Sequence, residues 1–129
     1  MPIHYSVDPT TGWMTTRADG IVTFHDVNAH LDVEQRNRDL HRPELLDARS
    51  ATTDLTTEQV RRLVQRAANM LRDVDLGATP IVTTHDVVFG MARMYCILAE
   101  GVGVNAEAFR DISTAARWLE DQSGEGPVT

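Results

Sequence analysis

The chain has 129 residues, 42% apolar and 24% charged, the balance of one soluble globular domain that can bury its core without disulfide staples. Its formal net charge of -7 disfavours loose attraction to nucleic acid, and no nucleic-acid partner is expected. The lone Cys96 excludes an internal disulfide and any cysteine-based metal spacing. No apolar run nears the ~20 residues of a membrane span, and Met1-Pro2-Ile3-His4-Tyr5 is not laid out like a secretory signal, so a cytoplasmic protein is expected.

Two short alternating runs come first, His4-Tyr5-Ser6-Val7-Asp8 and Trp13-Met14-Thr15-Thr16-Arg17. The turn-rich Asp8-Pro9-Thr10-Thr11-Gly12 between them predicts a hairpin. Gly20 is expected to break the second strand. Thr23 and Asp26 have capping-box spacing, and Phe24, Val27 and Leu31 recur at helical spacing, which predicts a first helix ending near Asn37 to Leu40, ahead of Pro43. Glu44-Leu45-Leu46-Asp47-Ala48-Arg49, lying between two helices, reads as the third strand, with Ser50 to Asp54 as loop. Thr56 and Gln59 form a capping box of the preferred kind. Val60, Leu63, Val64, Ala67, Ala68 and Leu71 then give one uninterrupted apolar face, and Gly77 is expected to stop this second helix. Its Arg61, Arg62, Arg66 and Arg72, diluted by Glu58 and Asp73, read as a solvated face rather than an anion site.

Ile81-Val82-Thr83 is a short apolar, β-branched run bounded by Pro80 and the polar Thr84-His85-Asp86, which fits a buried strand entering a helix. Thr84 is expected to cap that helix, with Asp86 in its first turn. Gly101 or Gly103 can end it in the left-handed conformation. Val104 to Phe109 reads as a last strand, Ser113 or Thr114 as the cap of a final helix through Ala115-Ala116-Arg117-Trp118-Leu119, and residues 123–129 as a flexible tail. The alternation after the hairpin predicts an α/β fold: a largely parallel five-stranded sheet, one antiparallel strand at its edge, covered by about four helices and forming a single domain over residues 1–122.

The chemistry-bearing residues are few. His25-Asp26 and His85-Asp86 each stand where a helix follows a strand, the edge at which open α/β sheets place ligand sites, and a His-carboxylate pair can act as a base or hold a metal. His30 adds a third imidazole, but i and i+5 do not share a helix face, so the ordinary reading is aspartates meeting helix dipoles beside solvated histidines. Cys96, among apolar neighbours, reads as a buried inert thiol. No nucleophile elbow, phosphate-binding glycine loop or metal-binding cysteine pattern is present, and neither cofactor nor metal is expected.

The helix after Ile81-Val82-Thr83 is different in kind. From Val87 to Glu100 only Arg93 and Glu100 are charged, so its apolar surface is wider than the roughly 100° stripe that packing on one sheet uses. Phe89, Met91, Met94, Tyr95 and Leu98 are the residues singled out for binding, methionine suiting both a core and a surface that accepts varied apolar partners.

Asp47-Ala48-Arg49 before the Leu55-Thr56-Thr57-Glu58 helix, Val88-Phe89-Gly90-Met91-Ala92-Arg93-Met94-Tyr95, and Ala108-Phe109-Arg110-Asp111 ahead of Trp118-Leu119 together resemble the bacterial SpoIIAA-like (STAS-like) family over nearly the whole chain. The resemblance implies an α/β sandwich related to anti-sigma-factor antagonists and, more loosely, to the lipid-binding Sec14/CRAL-TRIO proteins. It also implies a non-enzymatic module that binds an apolar ligand, a membrane surface or a protein partner. The phosphorylatable Asp-Ser-Ser-Gly-like turn of a true antagonist is missing from Ser50-Ala51-Thr52-Thr53-Asp54, so regulation at that turn does not carry over, and Ser50, Thr52 and Thr53 read as local hydrogen-bonding hydroxyls. The expectation is therefore a non-enzymatic, self-associating module that uses the region of residues 86–100 to take an apolar, lipid-like molecule or a partner, with peripheral membrane association allowed. The alternative is a small hydrolase or metal-dependent enzyme built on His25, Asp26, His85 and Asp86.

Overall fold

The structure, a computed structural model, describes residues 2–123. Strands β1 (Ile3–Val7) and β2 (Met14–Val22) form the hairpin, and after them come α1 (Phe24–Arg36), β3 (Glu44–Thr53), α2 (Thr57–Met70), β4 (Thr79–Val82), α3 (Asp86–Glu100), β5 (Ala106–Phe109) and α4 (Ile112–Ser123). The strands lie side by side in chain order; β1 is antiparallel to β2 and every other pair is parallel. The hairpin, the alternation and the mixed five-stranded sheet are as the sequence predicts. The tail expected at 123–129 lies outside the described residues, apart from Ser123, which closes α4. Among the described residues no helix is long and apolar enough to cross a membrane.

Both predicted capping boxes form. Thr23 accepts from the Asp26 amide at 3.1 Å while Asp26 accepts from the Thr23 amide at 2.9 Å, and Thr56 and Gln59 exchange the same pair of bonds. Helices α1, α2 and α3 all look onto one face of the sheet, where α2 packs on α3 and α3 on β5, and α4 packs against β3, β4 and β5 with Trp118 tilted against Phe109. One apolar cluster, Val64, Ala67, Cys96, Ala99, Val104 and Ala106, sits between α2, α3 and the β5 edge. Another, Ile3, Ala18, Val22, Ala48 and Ala51, lies over the hairpin.

Several expected boundaries move, each for a tertiary reason. Strand β3 continues through Ser50–Thr53, expected as loop, because it stays paired with β2 as far as Val22↔Thr53. From Arg17 to Asp19 β2 advances two residues while β3 advances three, from Asp47 to Ser50, and this bulge keeps Ala48 and Ala51 in the same cluster. Gly20 does not break β2; it holds a φ of +70° inside the strand. Gly77 does not stop α2, which ends at Met70. A Cβ there would lie 1.9 Å from the Arg42 carbonyl oxygen, so glycine is needed for two backbones to pass. His85, not Thr84, occupies the N-cap of α3, and no side chain caps it. Asp111 takes the capping role expected of Ser113 or Thr114, accepting from the Thr114 amide at 2.9 Å. Of the two glycines after α3, Gly103 takes the positive φ, +94°.

Candidate functional site

Three helices share one face of the sheet, but they do not fill it. A cavity of about 230 Å³ runs between them and the strands. Its floor is paved with alanine, Ala18, Ala48, Ala51 and Ala106, whose side chains end too soon to reach the helices above. Val60, Leu63, Ala67 and Met70 of α2 and Val88, Met91, Ala92 and Tyr95 of α3 form the walls, and Val27 and Leu31 of α1 form the roof. The lining reaches from the partly exposed Thr52, Thr53 and Leu55 at the carboxyl end of β3 to Leu40 and Leu76 beside its amino end. Helix α1 is tied across to α2 by Arg66, which donates to Asn28 Oδ1 at 2.8 Å and to Asp32 Oδ1 at 2.6 Å. This arginine, read from sequence as part of a solvated face, holds the roof on.

Within this apolar lining lies one ionisable cluster. His30 and Glu34, one turn apart on α1, meet Glu44, the first residue of β3, and all three are almost wholly buried. His30 Nε2 is 3.0 Å from Glu44 Oε2 and 3.1 Å from Glu34 Oε2, while Thr16 Oγ1 donates to Glu44 Oε2 at 2.5 Å. Nε2 carries at most one hydrogen and can satisfy only one carboxylate. Glu34 Oε2 is accordingly left buried without a hydrogen bond, despite its nearness to the ring. The Tyr5 ring meets the imidazole edge-on with centroids 5.5 Å apart. A second network around it joins Tyr5, Asn37, Asp39 and Arg42.

Burial opposes charge on His30, but the Glu34 and Glu44 carboxyl groups within 3.1 Å of its Nε2 overcome it and raise its pKa to about 9. Burial pushes the Glu34 carboxyl up to about 8 against the pull of His30, and the neighbouring Glu44 charge adds to the rise. For Glu44 burial acts upward too, yet hydrogen bonds from His30 and Glu34 outweigh it and hold the group below the usual carboxylate range. At neutral pH the cluster is then an imidazolium, one carboxylate and one protonated acid. Sequence reading singled out only His30 of the three. The available signal was Glu34, seven residues after Val27, standing where the apolar stripe of α1 would continue.

The residues marked for binding divide by position. Met91 and Tyr95 line the cavity, Leu98 packs with Tyr95 against the α2–α3 cluster, and Phe89 lies under the Arg110 guanidinium at 4.1 Å. Met94 is half-buried and does not line the cavity. Most of the surplus apolar width of α3 meets α2, β5 and the cavity, while its exposed stripe, Asp86, Val87, Gly90, Arg93, Ile97 and Glu100, is mixed and keeps Val87 and Ile97 in solvent. Burial pushes the thiol of Cys96 up to about 12, which leaves it protonated and unreactive at neutral pH.

The polar pairs stand at the carboxyl edge of the sheet, as expected, but no contact among the described residues joins them. Asp26 is engaged in the α1 capping box and Asp86 pairs with Arg110 at 2.9 Å, while His25 and His85 are exposed.

No protein-family model and no curated protein matches this sequence. Among solved structures, an uncharacterised protein of the DUF3478 family with a SpoIIAA-like fold, from Shewanella loihica PV-4, superposes with a TM-score of 0.58 at 13% identity over 91% of this chain and 93% of that one. The strand order, the edge hairpin and the four helices, together with that superposition, establish the architecture to which the Phe-Gly-Met-Ala-Arg-Met-Tyr stretch pointed: the chain has a SpoIIAA-like α/β fold.

Proposed function

We propose that this protein is a non-enzymatic binding module that takes an apolar small molecule into the cavity between α1, α2, α3 and the sheet. The supporting observation is the cavity itself, about 230 Å³ with a largely apolar lining. Interiors normally leave few voids larger than a water molecule, and an engineered aliphatic cavity of about 150 Å³ stays dry and takes up benzene. A larger one suits a molecule of two or three rings or a short acyl chain. Met91 and Tyr95, both marked from the sequence, contribute to its wall. Thr52 and Thr53, lining residues that reach solvent at least in part, would give a headgroup polar partners.

The test uses N-phenyl-1-naphthylamine, a neutral apolar fluorophore, titrated into the wild type and into Ala48→Phe, whose new ring would occupy the floor. Saturable one-to-one uptake by the wild type, weakened about tenfold or more in a variant that melts no lower, is the expected result. One tenfold step corresponds to about 1.4 kcal/mol of binding free energy. No uptake by the wild type, or equal uptake by a folded Ala48→Phe, removes the proposal.

A further inference from the structure

We propose that His30 Nε2 and the carboxylate oxygens of Glu34 and Glu44 form a binding site for one divalent transition-metal ion of the zinc class. The site is separate from apolar-ligand binding and holds whether or not the cavity takes a small molecule. Three features of the cluster support it.

The donors already converge. All three lie within 4.8 Å of one another, and the imidazole nitrogen is 3.0 and 3.1 Å from the two carboxylates. A tetrahedral ion with bonds of about 2.0–2.1 Å keeps its donors roughly 3.3 Å apart, so the imidazole nitrogen already stands close to the required distance from both carboxyl groups. His30 and Glu34 are fixed by one turn of α1 and Glu44 by the start of β3, so rigid elements hold the set.

The cluster is not satisfied by protein. Two carboxyl groups and an imidazole are buried together, and among the described residues no arginine is ion-paired to either glutamate; Arg42, nearby in the lining, is taken by Asp39. The Glu34 side chain is 2% exposed, and its Oε2 has no hydrogen-bond donor. Apolar residues of similar size would cost the fold less than such a cluster. A divalent cation would displace the protons that the cluster otherwise holds and occupy that oxygen.

The surroundings suit a metal ligand set. Thr16 Oγ1 orients Glu44, as outer-shell hydroxyls orient ligating carboxylates, and the Tyr5 ring braces the imidazole. One nitrogen and two carboxylates favour a borderline ion such as Zn2+ or Co2+ over Ca2+, which takes six to eight oxygens. Three protein ligands leave a fourth position, and the same three residues line the cavity, so water or a ligand atom can reach it.

The experiment titrates Co2+ into chelator-stripped protein, following its visible d–d absorption and then its displacement by Zn2+. One equivalent should bind with a four- or five-coordinate spectrum. Glu34→Gln, which keeps the side-chain shape, and His30→Gln should each lose about 100-fold in affinity with unchanged circular dichroism, while His25→Gln and His85→Gln keep it. Because either cluster variant could fail to fold, anomalous diffraction from cobalt-soaked wild-type crystals gives an independent reading: the peak should fall within about 2.3 Å of all three donors. No stoichiometric binding by about 0.1 mM Co2+, undiminished binding by folded Glu34→Gln, or an anomalous peak elsewhere overturns the proposal.

Discussion

His30, Glu34 and Glu44 bring three titrating groups within 4.8 Å of one another. In metal-free protein the sign of their effect on stability follows from which state holds the protons. Glu34 rises from 4.5 to about 8 on folding and His30 from 6.5 to about 9, so across that range the folded chain binds more protons than the unfolded one. The stability each contributes is complete below its unfolded value and is lost as pH climbs through its folded value. Glu44 acts oppositely, being depressed, and its contribution disappears as pH falls below 4.5. Unfolding free energies from urea titrations with chelator present should therefore peak in mildly acidic buffer and fall by about a few kcal/mol between pH 5 and 9, the midpoint moving with them. Glu34→Gln should flatten the part of that fall that lies below pH 8; a wild-type midpoint flat from pH 5 to 9 contradicts the assignment of protonated His30 and Glu34.

At the scale of elements, two glycines that look alike in sequence have opposite roles. Gly90 sits in the interior of α3, exposed, and a Cβ added there meets nothing within 4 Å. Gly90→Ala should stabilise the protein by about 0.5–1 kcal/mol through helix propensity alone. Gly77 lies where the segment before β4 crosses the segment before β3, its amide donating to the Leu40 carbonyl at 3.0 Å. Gly77→Ala would drive a methyl into the Arg42 backbone and should cost at least about 3 kcal/mol, since neither chain can yield cheaply. Thermal or urea melts of the two variants, shifted in opposite directions, check both. The crossing also holds β3 and β4 in register, because the Glu44 amide donates to the Ala78 carbonyl at 2.9 Å on the same joint.

For the molecule as a whole, the decisive arrangement is a roof helix held away from an alanine floor. α1 packs chiefly on β1 at the sheet edge, while Arg66 reaches from α2 to Asn28 and Asp32 at its middle. Arg66→Ala should loosen α1 selectively: about 1 kcal/mol of global stability, with hydrogen exchange of α1 amides accelerating more than that of α2 or the central strands. Uniform acceleration would mean that α1 is not an independently opening roof. Such opening would also give the proposed apolar ligand a route into the cavity beneath α1.

Sequence alone determined what depends on neighbours in the chain. Residue periodicity, the two capping boxes and the turn between β1 and β2 are local, and from them the hairpin, the α/β alternation and the mixed sheet were all legible. So was the excess apolar surface of α3, although its destination was not. Tertiary structure decided the rest, because pairing and close approach join residues far apart. Only contact with β2 extends β3 through Ser50–Thr53, only the crossing with Arg42 explains Gly77, and only folding α1 over β3 brings Glu44 to His30 and Glu34. A cavity is the extreme case, since it is made of space that alanines on separate elements leave unfilled, and no single stretch of the sequence contains it.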